Sequence, residues 1–189
     1  MIPDSLKNAV RSHRNGITSF IKTLNNPKIC EVGVRYGIHF KELMAPNVSL
    51  AVAVDPWRLF ESQACDPAAP WGQEDLDKQH DDFARAYAQD DRVTIERLVS
   101  LEAAEKYEDE FFDFIYIDAN HGYEFCKEDL NAWYPKVKSG GYISGHDYIK
   151  HLDYGVIEAV EEFKQENNIP EENFFRNNQR FASYYILKD

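Results

Sequence analysis

The chain is short of several things at once. It carries only three cysteines, Cys30, Cys65 and Cys126, widely spaced and without a CxxC pair. That pattern suits neither a disulfide framework nor a thiolate metal site, so packing cysteines in a reducing, cytoplasmic setting are expected. No stretch approaches the ~20 apolar residues of a membrane span, and Met1-Ile2-Pro3-Asp4-Ser5 opens no apolar leader. Positive charge is in deficit: 21 Lys and Arg face 33 Asp and Glu, a formal net charge of −12. This balance argues against a nucleic acid or an anionic membrane as the main partner. Repeats and low-complexity tracts are missing too. The 189 residues read as one domain, with a helical cover over 1–26 and a core over 28–189.

What is present is a regular alternation of two periodicities. Leu6, Val10, Ile17, Phe20, Ile21 and Leu24 recur near helical spacing, interrupted at Asn15-Gly16. Strands are expected at 28–32, 49–54, 92–99, 112–117 and 141–145, with late strands at 173–175 and 181–187. Helices are expected through about Leu43, over 74–89, 101–107 and 123–133, and over 155–167. Residues 61–73 read as a loop, with Pro67, Pro70, Trp71 and Gly72 close together. Strand and helix at this rhythm make an α/β sheet wrapped on both faces, and the last strands suggest an antiparallel ending.

Two apolar runs end in clustered polar chemistry. Phe112–Ile117 runs into Asp118-Ala119-Asn120-His121, and Gly141–Gly145 runs into His146-Asp147-Tyr148. In an open parallel sheet ligands sit beyond the carboxyl ends of the strands, so two acids and two imidazoles there are site candidates. The first strand ends in Glu31-Val32-Gly33-Val34-Arg35-Tyr36-Gly37, an E-x-G-x-x-x-G turn. A dinucleotide fingerprint reads G-x-G-x-x-G instead, which disfavours a nicotinamide-dependent oxidoreductase. Glu31 would repel phosphates but can hold an amine, and Asp55 at the end of strand two can accept hydrogen bonds from ribose hydroxyls.

Glu31, Gly33, Gly37, Asp55, Ile117-Asp118 and Pro135–Gly141 together resemble the class I S-adenosylmethionine-dependent methyltransferases. Asp118–Glu124 with Gly145-His146-Asp147-Tyr148 is more narrowly similar to small O-methyltransferases related to macrocin O-methyltransferase. The resemblance runs from about residue 28 to the end. It implies a Rossmann-like, mostly parallel seven-stranded sheet with an antiparallel C-terminal strand. It also implies S-adenosyl-L-methionine as cofactor, with Glu31 near the methionine amino group, Gly33 and Gly37 beside the methionine and Asp55 on the ribose. Trp57 either packs near the adenine or serves as a core or lid aromatic. Ser100 stands where relatives carry an adenine-contacting acid, and either replaces it or caps the next helix.

Metal-dependent relatives such as catechol O-methyltransferase draw acids from the ends of strands four and five. By that likeness Asp118, His146 and Asp147 are candidate ligands for a divalent metal, Mg²⁺ or, given an imidazole, Mn²⁺, Fe²⁺ or Zn²⁺. Asp118 also borders the cofactor. His121 matches the place of a proton-removing lysine, and is either a base, a ligand or a support for the helix start. The implied activity is O-methylation of a small hydroxylated molecule, a sugar or natural product, under the N-terminal helices and the Cys65–Gln73 loop. Glu124, Lys127 and Asp129 read as a solvated helix face, His13 and His151 as surface residues. A homodimer is compatible with the sequence. The rival readings are the oxidoreductase and a non-catalytic binding subunit of the same fold.

Overall fold

Seven strands form a single sheet in the order β3-β2-β1-β4-β5-β7-β6. The computed structural model describes residues 1–11, 13, 16–60, 72–151 and 154–189. β1 (Lys28–Val32), β2 (Leu50–Val54), β3 (Val93–Glu96), β4 (Phe112–Ile117) and β5 (Val137–Gly145) pair in parallel. β7 (Tyr184–Leu187) runs antiparallel between β5 and β6 (Phe174–Arg176). The late strands therefore do pair antiparallel, with the last one inserted against the parallel block. The apolar residues of β1, of β2 past Leu50 and of β4 are buried on both faces, as a parallel sheet covered by helices requires.

The helices divide between the faces. α1 (Asp4–Val10), α2 (Ile17–Ile21), α3 (Ile38–Leu43) and α4 (Gln73–Tyr87) pack over Ile29, Ala51, Ala53, Phe114 and Tyr116. α5 (Ser100–Ala104), α6 (Tyr123–Trp133) and α7 (Val156–Glu166) cover Cys30, Val32, Val52, Ile115 and Ile143. That partition follows from the period of two along each strand. Cys30 and Cys126 are buried free thiols.

Three expectations need adjustment. The third strand stops at Glu96 rather than running to 99, because its ladder with β2 ends at Val54 opposite Glu96. β5 begins at Val137, ahead of Gly141, across a register irregularity near Phe112. Asp129 is not on a solvated face: it is 5% exposed and lies with Cys126, Leu130 and Trp133 on the buried stripe of α6. The spacing i, i+3, i+4, i+7 from Cys126 makes that stripe visible once the acid is allowed into it. Lys127 does face outward, paired with Glu162 and Glu166. Trp71, Cys65 and most of the expected 61–73 cover, like Asn15, lie outside the described residues.

Candidate functional site

Three of the six non-glycine residues with left-handed backbone among the described residues stand at the sheet's carboxyl edge: Arg35, Trp57 and Asp147, with φ of 52°, 40° and 54°. They follow β1, β2 and β5. Such residues are held there only when their surroundings over-determine them, which is common at functional sites.

At the β1 end the strain is explained by a hydrogen-bonded lock. One Asp55 oxygen accepts the Arg35 N–H at 2.8 Å, and the other accepts the Trp57 N–H at 2.8 Å. The Trp57 indole N–H donates to the Arg35 carbonyl at 2.9 Å. Burial raises the Asp55 pKa, against the amides and the Arg35 charge, which favour the ionised form. Trp57 is 1% exposed, with its ring against His80 and Phe83. Its ring is therefore part of the core packing.

Both loop glycines are required by packing. Gly33 has φ of 89°, and a Cβ there would lie 2.1 Å from the Asp118 carbonyl oxygen. Gly37 has φ of 71°, and its Cβ would lie 2.5 Å from the Phe83 ring. The first contact joins the two halves of the site: the β1 loop crosses directly over the end of β4. Asp118 is tied back by its N–H to the Val32 carbonyl at 2.7 Å.

Glu31 is 2% exposed and in register with Tyr116. Its Oε1 lies 3.1 Å from His39 Nδ1, and the His39 ring tilts over Tyr116 at 4.0 Å. His39 was not among the sequence candidates. Its position in the first turn after the left-handed Gly37 is the available signal, since that turn folds back over β1.

Ser100 does not cap α5. Val99 is the cap residue of α5, and the Ser100 hydroxyl accepts the Trp133 indole N–H at 2.9 Å and bonds Asp129. Burial pushes the Asp129 pKa up to about 7. Ser100 therefore ties α5 to α6.

Beyond β4 and β5 the polar residues meet one another. Asp118, His121 and Asp147 each offer a donor atom within 4.8 Å of the others. His121 Nε2 lies 2.8 Å from Asp147 Oδ2 and 3.9 Å from Asp118 Oδ1. His146 Nδ1 stands alongside, 3.3 Å from Asp147 and 3.6 Å from Asp118. Asp147 is 7% exposed, and its Oδ1 and His121 Nε2 are buried atoms with no hydrogen-bond partner among the described residues. Burial works to raise the Asp147 pKa, but the neighbouring His121 and His146 overcome it and hold the carboxyl well below the usual range. His121 stacks flat on Tyr154 at 4.4 Å, and its carbonyl accepts the Gly155 N–H at 2.8 Å. A small cavity beneath the cluster is lined by Ile117, Cys126, Val156 and Tyr184. Burial pushes the Cys126 thiol up to about 12, so it is an inert wall. Tyr148 is buried, its hydroxyl donating to Glu161 at 2.5 Å.

The sequence candidates thus fall into two groups. Glu31, Gly33, Gly37 and Asp55 stand at the ends of β1 and β2, and Asp118, His121, His146 and Asp147 gather beyond β4 and β5, the two groups meeting where Gly33 touches the Asp118 backbone. Trp57 and Ser100 are engaged in packing.

A family model described as a methyltransferase domain matches residues 30–148. No curated protein matches the chain by sequence. Among solved structures, an O-methyltransferase from Bacillus cereus in complex with SAH is 15% identical, with a TM-score of 0.61. The match covers 93% of this chain and 80% of that one. An S-adenosylmethionine-dependent O-methyltransferase from Thermotoga maritima is 13% identical at a TM-score of 0.60, covering 93% and 64%. Spermidine synthase from Thermotoga maritima is 15% identical at 0.54, covering 90% and 60%. At such identities these likenesses show the fold alone.

Proposed function

Because the chain belongs to the methyltransferase domain family, we propose that it transfers a methyl group from S-adenosylmethionine to a hydroxyl of a small molecule, assisted by a divalent cation. The observation that carries this reading is the contact of Gly33 with the Asp118 backbone. It makes the E-x-G-x-x-x-G loop and the acid–imidazole cluster two ends of one crevice.

The residues present fit both groups. Glu31 offers a buried carboxylate to an ammonium group, a pairing that its low-polarity surroundings demand. Asp55 spends one lone-pair direction per oxygen on main-chain amides, and each carboxylate oxygen has a second for ribose hydroxyls. For a cation, the orphaned Asp147 Oδ1 and the approach of Asp118 to Asp147 supply the fit. Two carboxylates this close repel unless positive charge stands between them.

S-adenosylmethionine, when bound, supplies an electrophilic methyl carbon and leaves as the neutral thioether. The protein's part is to align the acceptor oxygen in line with that carbon and to remove its proton. Removal falls to the cluster, either by an imidazole or by a cation that lowers the hydroxyl pKa. Asp118 borders both ends and so fixes their separation. Phe125 and Phe181 are large exposed apolar side chains that a substrate's ring or chain could cover.

Titration with S-adenosylhomocysteine, followed by isotope-labelled methyl transfer to a panel of sugars and phenols with and without chelator, tests the reading. Micromolar binding and chelator-sensitive label on oxygen are expected. Absence of S-adenosylhomocysteine binding would remove the cofactor, and label on nitrogen or sulfur would remove O-methylation.

A further inference from the structure

We infer that His121 is a metal ligand rather than the proton-removing base, and that the centre therefore selects a nitrogen-accepting first-row ion (Mn²⁺, Fe²⁺, Co²⁺ or Zn²⁺) over Mg²⁺. The inference rests on the reading of the cluster as a cation site and goes beyond it by choosing the role of His121 and the class of ion.

A base held by an acid needs a hydrogen bond between them, so the ring N–H must point along the line to the carboxylate. His121 Nε2 comes within 2.8 Å of Asp147 Oδ2, yet among the described residues it meets no aligned hydrogen-bond partner. Short separation without alignment is the relation between two neighbouring ligands of one ion. With bonds of about 2.1 Å, adjacent donors around an octahedral ion stand about 3 Å apart. The same nitrogen also lies 3.9 Å from Asp118 Oδ1, so two carboxylates converge on one imidazole lone pair.

The surroundings fix that aim. Tyr154 lies parallel to the ring at 9°, and Gly155 holds the His121 main chain, so the imidazole is clamped from the α7 side. Asp147 is bent toward it by left-handed backbone. A base must reach a substrate hydroxyl, whereas Nε2 is buried among the acids. Mg²⁺ prefers oxygen donors and retained water, while imidazole suits the mid and late first-row ions. Asp118, His121 and Asp147 give one nitrogen and two oxygens, with His146 near enough to contribute a second nitrogen.

The test uses the full chain without a histidine tag, stripped of metal and titrated calorimetrically with MnCl₂, CoCl₂ and MgCl₂. Electron spin-echo spectra of the Mn²⁺ form report directly bound nitrogen. Co²⁺ and Mn²⁺ should bind at least about tenfold more tightly than Mg²⁺. His121→Ala should weaken Co²⁺ at least about tenfold and diminish the nitrogen coupling at unchanged melting temperature. His121→Asp should restore ion binding with the preference moved toward Mg²⁺. Mg²⁺ binding as tightly as Co²⁺ overturns the inference. So does nitrogen coupling that survives in His121→Ala and disappears in His146→Ala. Failure of every ion to bind overturns both it and the cation site, while S-adenosylhomocysteine titration of the same sample tests methyl transfer separately.

Discussion

The two ends of the crevice satisfy their acids in opposite ways. Asp55 is held by backbone amides of Arg35 and Trp57, one per oxygen. Among the described residues Asp147 meets no such amide: it faces imidazoles and a second acid, and its Oδ1 has no hydrogen-bond partner. An acid answered by main chain fixes the loop, because it satisfies amides that would otherwise be buried unpaired. An acid answered by other titratable groups makes its contribution depend on pH and, in a cleft, marks a candidate ligand site. The same residue type at equivalent strand ends is therefore held by main chain after β2 and by titratable side chains after β5.

The sharpest way to break this comparison is at the point where the two ends touch. Gly33→Ala puts a Cβ into the Asp118 carbonyl at a backbone angle that L-residues rarely adopt. Chain displacement is the only relief, since the obstructing atom is backbone. A loss of about 3 kcal/mol or more in urea denaturation is expected, with S-adenosylhomocysteine and ion binding lost together. Loss of only one of the two would mean that the ends are independent.

A third buried acid sharpens the contrast from outside the crevice. Asp129 has its pKa raised to about 7 by burial, above the ~3.9 of an unfolded chain. The folded state thus binds its proton more tightly. Its favourable contribution is complete below about pH 4 and fades as pH rises toward about 7. Asp129→Asn should remove that decline and raise stability at pH 8 by on the order of 2 kcal/mol, with little change at pH 4. Equal urea midpoints for native and variant protein at pH 8 would show that Asp129 is ionised at no cost.

Asp129 also shows what the sequence concealed. The strand order, the crossovers and the E-x-G-x-x-x-G turn were legible because periodicity and glycine placement are local signals. Asp118, His121, His146 and Asp147 were legible as a group because parallel strands deliver their ends to one edge. What was not legible depended on partners far along the chain. Ser100 meets Trp133 and Asp129, 33 and 29 positions on, and no local pattern announces that a hydroxyl will be claimed by another helix. Trp57 turns inward because Asp55 captures its amide, a pairing that spacing alone does not distinguish from a ligand-facing aromatic. His39 meets Glu31 only because the turn after Gly37 folds back over β1, a pairing that local spacing does not show.

A smaller effect separates the acids themselves. Asp55→Asn loses one of two main-chain acceptors and should cost about 2 kcal/mol, for a buried amide left unpaired. Asp147→Asn keeps a residue that tolerates left-handed backbone, and should cost about 1 kcal/mol near neutrality while abolishing ion binding. Because the Asp147 pKa is depressed, its contribution is present above the unfolded value near ~4 and is lost as pH falls below it. The native and Asp147→Asn stabilities should accordingly converge on acidification. If the two variants were equally destabilised and equally able to bind a cation, the division of labour between β2 and β5 would be wrong.

The smallest effect tests the reassignment of Trp57. Trp57→Phe removes the indole N–H that bonds the Arg35 carbonyl but keeps an aromatic ring against His80 and Phe83. One lost hydrogen bond and a smaller ring predict a decrease of about 1 kcal/mol. Because the ring is buried in the core beneath the lock, S-adenosylhomocysteine affinity should change less than about twofold, well under 1 kcal/mol. A drop of tenfold or more at preserved stability would place the indole against the adenine after all. Trp57 would then be doing at the β2 end what is proposed for His121 at the β5 end, presenting a side chain to a ligand rather than to the fold.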